Sequence, residues 1–183
     1  MVEQQDNYRK SGFTSAYNNY RFVGTKNGIL NKLMEPVDQI IQLVSLSDDL
    51  RAYDRKLFPA ARDLFLQSWL DADSHVSKVY SERGQIKGYA TLRPCQPGYK
   101  IGPLFADSAD IARALIAAVL DTIPDDHKEH EVFVDMPQPN ASAFALADEL
   151  GLEKVFETAR MYSHHQPDID LDRIFGVTTF ELG

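Results

Sequence analysis

Two stretches near opposite ends of this chain share one pattern. The first reads Tyr8-Arg-Lys-Ser-Gly12-Phe13-Thr-Ser-Ala-Tyr17-Asn-Asn-Tyr-Arg21-Phe22, and the second reads Ala147-Asp-Glu-Leu-Gly151-Leu152-Glu-Lys-Val-Phe156-Glu-Thr-Ala-Arg160-Met161. In both, a large apolar residue follows a glycine, an aromatic residue comes four positions later, and an arginine with an apolar neighbour comes four beyond that. Glycine tolerates the positive φ that ends many helices, so each copy predicts a helix end that leads into a strand.

The repeated pattern also predicts how the chain divides. A chain that opens on a unit and later closes on the same unit is typical of the tail of one domain followed by a complete second domain. We expect residues 1–23 to be the last helix and strands of a first unit, 24–37 to be a linker, and 38–183 to be the second domain with its C-terminal tail. The aromatic side chains of the first copy favour burial, which is worth roughly 1.5–3 kcal/mol for each large side chain. We therefore expect this segment to dock on its own domain's sheet or on a neighbouring chain, as a swapped homodimer.

The composition restricts the classes of function. The chain has 183 residues, of which 44% are hydrophobic, and a formal net charge of −8. An acidic chain lacks the basic stripes that bind nucleic acid or anionic membranes, so neither partner is expected. A single cysteine, Cys95, excludes an internal disulfide framework, and no apolar run has the length of a membrane span. These features predict a cytoplasmic location.

Hydrophobic periodicity predicts alternating strands and helices. Strands are expected near 39–46, 76–82, 86–93, 99–106, 132–136 and 152–163, and helices near 48–57, 60–70, 109–123 and 140–150. A tail follows with apolar residues that can still pack, among them Phe175, Val177 and Phe180. Antiparallel hairpins in the first half and helical connections in the second half predict an α/β fold. Its sheet is expected to be mixed but mostly antiparallel, with helices on both faces.

Four stretches of sequence point to a known family. They are Tyr8-x-x-x-Gly12-Phe13, Asn140-x-x-Ala143-x-x-Leu146-x-x-x-x-Gly151-Leu152, the run from Gly88 to Ala106, and the ending Phe175-Gly-Val-Thr-Thr-Phe-Glu-Leu-Gly183. With the order of elements, they resemble the GNAT superfamily of acyl-CoA-dependent N-acyltransferases. The last two are similar to the C-terminal domain of the YitH-like tandem acetyltransferases, which carry two GNAT repeats in one chain. The resemblance implies a GNAT-like sheet and assigns residues 1–23 to the end of a first repeat.

The resemblance implies acetyl-CoA as the acyl donor, with a distorted strand that accepts its pantetheine arm. The positions implied to contact it are Ile101, Gly102, Leu104, Ala106 and Asn140. The family holds the pyrophosphate on a glycine-rich turn at a helix N-terminus, where backbone N–H groups attract anions. The corresponding turn here, Ala106-Asp107-Ser108-Ala109-Asp110-Ile111, has no glycine and carries two carboxylates that compete with an anion. We therefore expect this domain not to bind CoA in the family's usual way.

Two residues are candidates for catalysis, Tyr8 and Asp135. In the family a helix tyrosine commonly protonates the departing thiolate, and a carboxylate or a water chain removes the amine's proton. The tyrosine position is Ala147 here and survives only as Tyr8 in the first copy. Asp135 closes a buried strand and is either a general base, a ligand for the substrate amine, or a loop anchor held by hydrogen bonds. The adjacent His164 and His165 would point to opposite faces of a strand, so no metal site is predicted.

Two functions follow. The first is an acetyl-CoA-dependent N-acetyltransferase that acts on a small-molecule or protein amine. The second is a catalytically silent GNAT-like lobe that binds a substrate or a partner, or that dimerises. The resemblance favours the first for the intact assembly, whereas the acidic turn favours the second for this chain alone.

Overall fold

One mixed sheet runs through the centre of the molecule. The computed structural model describes residues 4–33, 40–42, 45–127 and 129–181. Seven strands follow the order β2-β3-β4-β5-β6-β1-β7, and β8 pairs with β5 beside this path. Their bounds are Thr14–Thr25 (β1), Ile40–Gln42 (β2), Val76–Glu82 (β3), Gln85–Pro94 (β4), Tyr99–Ala106 (β5), Glu131–Pro137 (β6), Glu153–Tyr162 (β7) and Ile174–Gly176 (β8). Only β5 and β6 pair in parallel among the described strands. The predicted α/β fold with a mostly antiparallel mixed sheet is confirmed.

Helices cover both faces of this sheet. They are Gln5–Lys10 (α1), Lys26–Leu30 (α2), Asp48–Leu57 (α3), Asp63–Asp71 (α4), Ala109–Leu120 (α5) and Ala141–Leu150 (α6). The buried cluster that includes residues of α2, α5 and α6 contains Ala90, whereas the cluster that includes residues of α3 and α4 contains Tyr89. Successive residues of a strand point to opposite faces. The two clusters therefore lie on opposite sides of β4, as predicted.

The N-terminal segment forms an internal strand of the sheet. β1 pairs antiparallel with β6 over residues 19–25 and with β7 over residues 14–23. Its Phe22 is buried and packs edge-on against Phe144 of α6, with the ring centroids 5.3 Å apart. The segment thus docks on the sheet of its own chain. Its descent from a first repeat stays a prediction.

Residues 24–30 of the expected linker form regular structure, and residues 31–33 form a turn. Residues 24 and 25 end β1, and α2 follows directly, with the Thr25 hydroxyl accepting from the Gly28 N–H at 3.1 Å. Ile29 is buried in the core. A five-residue helix is too short to show a hydrophobic period, which is why the sequence pattern reads as a linker. Residues 34–37 lie outside the described residues, as do 39, 43 and 44 of the strand expected near 39–46.

In the described part of the chain, no helix is both long enough and apolar enough to cross a bilayer.

Candidate acyl-CoA groove

Strands β5 and β6 diverge in the middle of the sheet. They pair only between Tyr99–Ile101 and Val132–Val134, although both strands continue beyond these residues. The chain's own residues Ile174–Glu181, here called the C-terminal segment, enter the gap. Within it, Gly176 pairs with Leu104 of β5, and the Val177 N–H donates to the Asp135 carbonyl of β6 at 2.8 Å. Both walls of the gap are therefore bonded to the C-terminal segment.

Buried side chains hold the C-terminal segment in place. The Asn140 side-chain amide donates to the carbonyls of Asp172 at 2.9 Å and Ile174 at 3.0 Å. The Arg62 guanidinium donates to the Thr178 hydroxyl at 2.9 Å. Because buried polar groups lose their hydration, each of these bonds is costly to break. The segment is a fixed part of the fold.

Arg62 also belongs to a buried polar network with Asp54 and Tyr89. Arg62 bonds both carboxylate oxygens of Asp54, at 2.5 and 2.9 Å, and the Tyr89 hydroxyl donates to the same carboxylate at 2.6 Å. Complete burial raises the pKa of Tyr89 well above its ordinary value, with the Asp54 charge adding to the shift. Tyr89 therefore stays protonated and serves as a hydrogen-bond donor.

The structure brings the predicted cofactor residues of β5 together, but none of the four is open to a ligand. Three of them have buried side chains, and the fourth, Gly102, has no space beside it for a side chain. Ile101 pairs with Leu92 and Val134, and a side chain at Gly102 would approach the Thr178 carbonyl oxygen to 2.6 Å. Leu104 and Ala106 are fully buried. The groove that the resemblance implies is present as a divergence of strands and is filled by protein.

The fifth predicted cofactor residue, Asn140, has a structural role. Its side-chain oxygen caps α6 by accepting from the Ala143 N–H at 2.9 Å, and its amide nitrogen holds the C-terminal segment as described above. The side chain is 0% exposed. Its hydrogen-bonding capacity is used within the chain.

The turn before α5 also does not fit a pyrophosphate. The Asp107 carboxylate accepts from the Tyr53 hydroxyl at 2.9 Å and from the Arg173 guanidinium, with Lys87 at 3.7 Å. The Ser108 hydroxyl caps α5 by accepting from the Ile111 N–H at 3.3 Å. The cap position is therefore occupied by the Ser108 side chain, and the nearby cations are paired with Asp107, so neither is available to a pyrophosphate.

A further cation beside this helix, Arg113, is also paired with carboxylates of the chain. Arg113 bonds Asp110 at 2.6 Å and reaches Glu149 of α6 at 2.7 Å. These bonds raise the pKa of Arg113, and the arginine lowers the pKa of Glu149. An anion arriving at the start of α5 would meet carboxylates whose partner cations are already bound.

The candidate base Asp135 lies between two cations. Its carboxylate accepts from Arg21 at 2.7 and 3.0 Å and from the Lys100 ammonium. Phe180 of the C-terminal segment lies over both cations, with its ring centroid 4.6 Å from the Arg21 Cζ and 5.2 Å from the Lys100 Nζ. Burial lowers the pKa of Lys100, and the Asp135 charge opposes that effect. This geometry corresponds to the anchoring alternative for Asp135, with its catalytic role still a prediction.

The other catalytic candidate, Tyr8, lies at a different place. It is half exposed on α1 and packs edge-on against Phe13 at 5.6 Å between ring centroids. It lines a cavity of about 360 Å³ at the edge of the sheet, together with Arg160 of β7 and Phe180. Phe180 thus borders both the Tyr8 cavity and the Asp135 cluster.

Sequence reasoning missed the feature that decides the site, which is the position of the C-terminal segment between β5 and β6. Its apolar residues were recognised as able to pack, but the strand partners of this segment lie 69 and 72 positions earlier in the chain, at Phe105 and Leu104. The buried Arg62 that bonds Thr178 was also missed. No local pattern marks either contact, because both join residues that are distant in sequence.

A match to a family model places this fold in a known class of protein. The family model described as "Acetyltransferase (GNAT) domain" matches residues 50–176. This chain therefore belongs to the GNAT acetyltransferase family.

Two relatives support this assignment at low identity. The chain is 26% identical over 190 residues to holothin acyltransferase of Pseudoalteromonas sp. (strain SANK 73390), covering all of this chain and 60% of that protein. It is 24% identical over 135 residues to the uncharacterized N-acetyltransferase YitH of Bacillus subtilis (strain 168), covering 74% of this chain and 46% of the relative. The chain thus spans only about half of the length of these relatives.

Solved structures are similar in fold. A crystal structure of a candidate acetyltransferase from Pyrococcus horikoshii has a TM-score of 0.80 at 18% identity, covering the whole of this chain and 58% of that one. A GCN5-related N-acetyltransferase from Anabaena variabilis has a TM-score of 0.59 at 12% identity, covering 86% of this chain and 42% of that one.

Proposed function

We propose that this chain serves the acetyl-CoA-dependent transfer of an acetyl group to an amine, as a domain that carries no acetyl-CoA of its own. Membership of the GNAT family supports the reaction class. The observation that carries the proposal is the C-terminal segment in the gap between β5 and β6, where it bonds both strands. The acceptor is a small-molecule or protein amine, and the net charge of −8 favours a cationic one.

The acidic turn supports the same conclusion from a second direction. A pyrophosphate needs free N–H groups and positive charge at the start of α5. Asp107 and Asp110 bring negative charge there, and their cations Arg173 and Arg113 are already paired. We infer that the domain contributes to the binding of the amine or of another protein domain, and that the acyl donor binds elsewhere in the assembly.

The first experiment is isothermal titration of the 183-residue chain with acetyl-CoA. We expect no saturable heat at millimolar ligand, because occupation of the gap would require breaking the bonds from Asn140 and Arg62. Saturable binding with micromolar affinity would overturn the assignment of a domain without its own donor site. Release of CoA thiol in the presence of amines would then identify the chain itself as the working enzyme.

A chimaera tests the reaction class separately. This chain would replace the matched 60% of holothin acyltransferase, and acetyl transfer to a panel of amines would be followed by thiol release. Turnover above that of the remaining part alone would support a role in acyl transfer. A folded chimaera that binds acetyl-CoA but does not exceed that background would contradict it.

A further inference from the structure

Strands β1 and β7 form a ribbon with internal twofold symmetry. Each residue of one sequence copy has its counterpart 139 positions later, as Gly12 has Gly151. Tyr17 corresponds to Phe156, and Arg21 corresponds to Arg160. If each residue is replaced by its counterpart, the strand pair Tyr17–Arg160 becomes the pair Arg21–Phe156, and the sheet contains both pairs. All nine pairs of the ribbon obey this exchange, with Asn19–Thr158 on the axis.

Irregular features obey the same symmetry. The register shift on β1 leaves out Ala16, and the shift on β7 leaves out its counterpart, Val155. The turns that precede the strands match too: the Phe13 N–H donates to the Tyr8 carbonyl at 3.0 Å, and the equivalent bond from Leu152 measures 2.9 Å. A bulge is an extra residue in a particular place, so its repetition shows that both copies keep one three-dimensional unit.

Among the described residues, strand pairing covers one of the two equivalent outer edges of this ribbon and leaves the other unpaired. On β1, residues 19–25 pair with β6. On β7, the equivalent edge begins at Thr158, and no strand pairs with it among the residues that the structure describes. The cavity of about 360 Å³ lies at this edge, between α1 and the C-terminal segment. It also contains the buried Asn19, whose side-chain oxygen has no hydrogen-bond partner within the described chain.

Arginine chemistry distinguishes the covered edge from the open one. Arg21 makes two hydrogen bonds to Asp135 of β6, at 2.7 and 3.0 Å. Arg160 is the counterpart of Arg21 and lines the open cavity. Its guanidinium forms no hydrogen bond or ion pair within the described residues, although it also lines a second cavity with Tyr162 and its charge acts on the Tyr17 hydroxyl. Within the described part of the chain, the open edge therefore has neither a pairing strand nor the carboxylate that the strand would carry.

We propose that the edge of β7 from Thr158 to Tyr162 receives an extended strand of a sister acyltransferase repeat, equivalent to β6 and bearing an acidic residue opposite Arg160. A second copy of this chain is a poor donor, because its single β6 already covers its own β1. The relatives have room for a sister repeat, since the chain spans 60% and 46% of them. The proposal rests on the symmetry of the ribbon and not on where acetyl-CoA binds.

A peptide with the sequence of β6, Glu-Val-Phe-Val-Asp-Met-Pro with polar extensions, is the probe for this edge. We expect saturable binding to the full chain, with slowed amide exchange at residues 158–162, because the peptide supplies the strand and the carboxylate. Changing the peptide aspartate to asparagine, or Arg160→Gln in the protein, should weaken binding about tenfold or more. Lys154→Gln, which removes a charge from the same strand outside this edge, should leave the affinity unchanged.

Three results of the peptide experiment would each overturn the proposal. They are absence of saturable binding at millimolar peptide, an unchanged affinity in an Arg160→Gln protein that melts like the wild type, and protection that falls outside residues 158–162. Concentration-dependent protection of 158–162 without peptide would assign the edge to a second copy of the chain and would also reject the sister repeat. Analytical ultracentrifugation of the same samples separates that outcome from peptide binding.

Discussion

The Asp54–Arg62 pair lies at the junction of α3, α4 and the C-terminal segment. Both side chains are more than nine-tenths buried, and Arg62 also stacks on Phe58, with its Cζ 4.0 Å from the ring centroid. A buried charge is tolerable only when its partner is present, because desolvation is otherwise uncompensated. At the scale of single residues, removing one partner of this pair should therefore lower the stability of the fold strongly, because the other charge would stay buried without compensation.

We therefore predict that Arg62→Met destabilises the protein by about 3–5 kcal/mol, because Asp54 would be left buried without its cation. The measurement is the free energy of unfolding in urea. Arg55→Met is the matched control, since the Arg55–Asp63 pair is 44% and 47% exposed and such pairs contribute about 0–1 kcal/mol. Equal losses in the two variants would contradict the prediction.

The pH dependence of stability should carry a contribution from His75. Partial burial lowers its pKa below the ordinary 6.5, while its Nδ1 lies 2.7 Å from the Trp69 carbonyl oxygen. Between the folded pKa and 6.5 the unfolded chain binds more protons, so stability rises with pH through this window and is lost as pH falls through it. We expect wild type to lose more stability than His75→Gln between about pH 7 and about pH 5. Parallel curves of unfolding free energy against pH would rule out this contribution.

Single residues also show what could be read from the sequence. Gly12 and Gly151 were predicted to end helices, and both have positive φ, at 85° and 66°. Those conformations depend on the residue's own sterics, so local sequence is sufficient. Asp135 is different, because its alternatives depended on which cations would lie near it. Arg21 and Lys100 come from strands that flank β6 in the folded sheet, and no spacing rule places them there.

At the scale of elements, the residue that caps α6 also holds the chain that fills the gap between β5 and β6. Asn140 caps the helix with its oxygen and holds the carbonyls of Asp172 and Ile174 with its nitrogen. One side chain thus fixes both α6 and the start of the C-terminal segment. Most N-caps serve only the first of these purposes.

We predict that Asn140→Ala costs about 2–5 kcal/mol, since it removes the cap and leaves buried carbonyls without donors. Ser108→Ala, at the exposed cap of α5, should cost only about 1 kcal/mol. Urea unfolding of both variants provides the comparison, and Asn140→Asp, which keeps a capping oxygen without the amide donor, should fall between Asn140→Ala and wild type. A cost for Asn140→Ala no larger than that for Ser108→Ala would show that the carbonyl contacts contribute nothing.

Element prediction succeeded where periodicity was long enough to be read. The bounds of α3, β3 and β5 coincide with those predicted at 48–57, 76–82 and 99–106. It failed at α2, which is too short for a period, and at β8, where three residues form a strand only because β5 offers them an edge. Short elements take their conformation from tertiary contacts, which the local pattern does not contain.

At the scale of the whole molecule, β1 joins the two ends of the chain into one sheet. It lies between β6 and β7, and its arginine completes the Asp135 cluster. Without β1, β7 would lose the strand that it pairs with, and the Asp135 cluster would lose one of its two cations.

We predict that a chain lacking residues 1–23 loses cooperative unfolding, because one strand of the sheet core is gone. Thermal unfolding followed by circular dichroism is the measurement, and a peptide of residues 1–25 added in trans should restore the transition. A truncated chain that melts cooperatively at the full-length temperature would contradict the assigned role of β1.

The sequence by itself determined the class of fold, the positions of the long helices and strands, the family resemblance and the loss of a glycine-rich phosphate turn. All of these depend on the chemistry of neighbouring residues and on periods of two or 3.6, which survive without a three-dimensional context. Only the tertiary structure decided that the gap between β5 and β6 is filled by the C-terminal segment, and that β1 is paired on both edges whereas β7 is paired on one among the described strands. Those outcomes depend on contacts between residues far apart in the chain, whose hydrogen-bonding edges and charges meet only when the sheet is assembled.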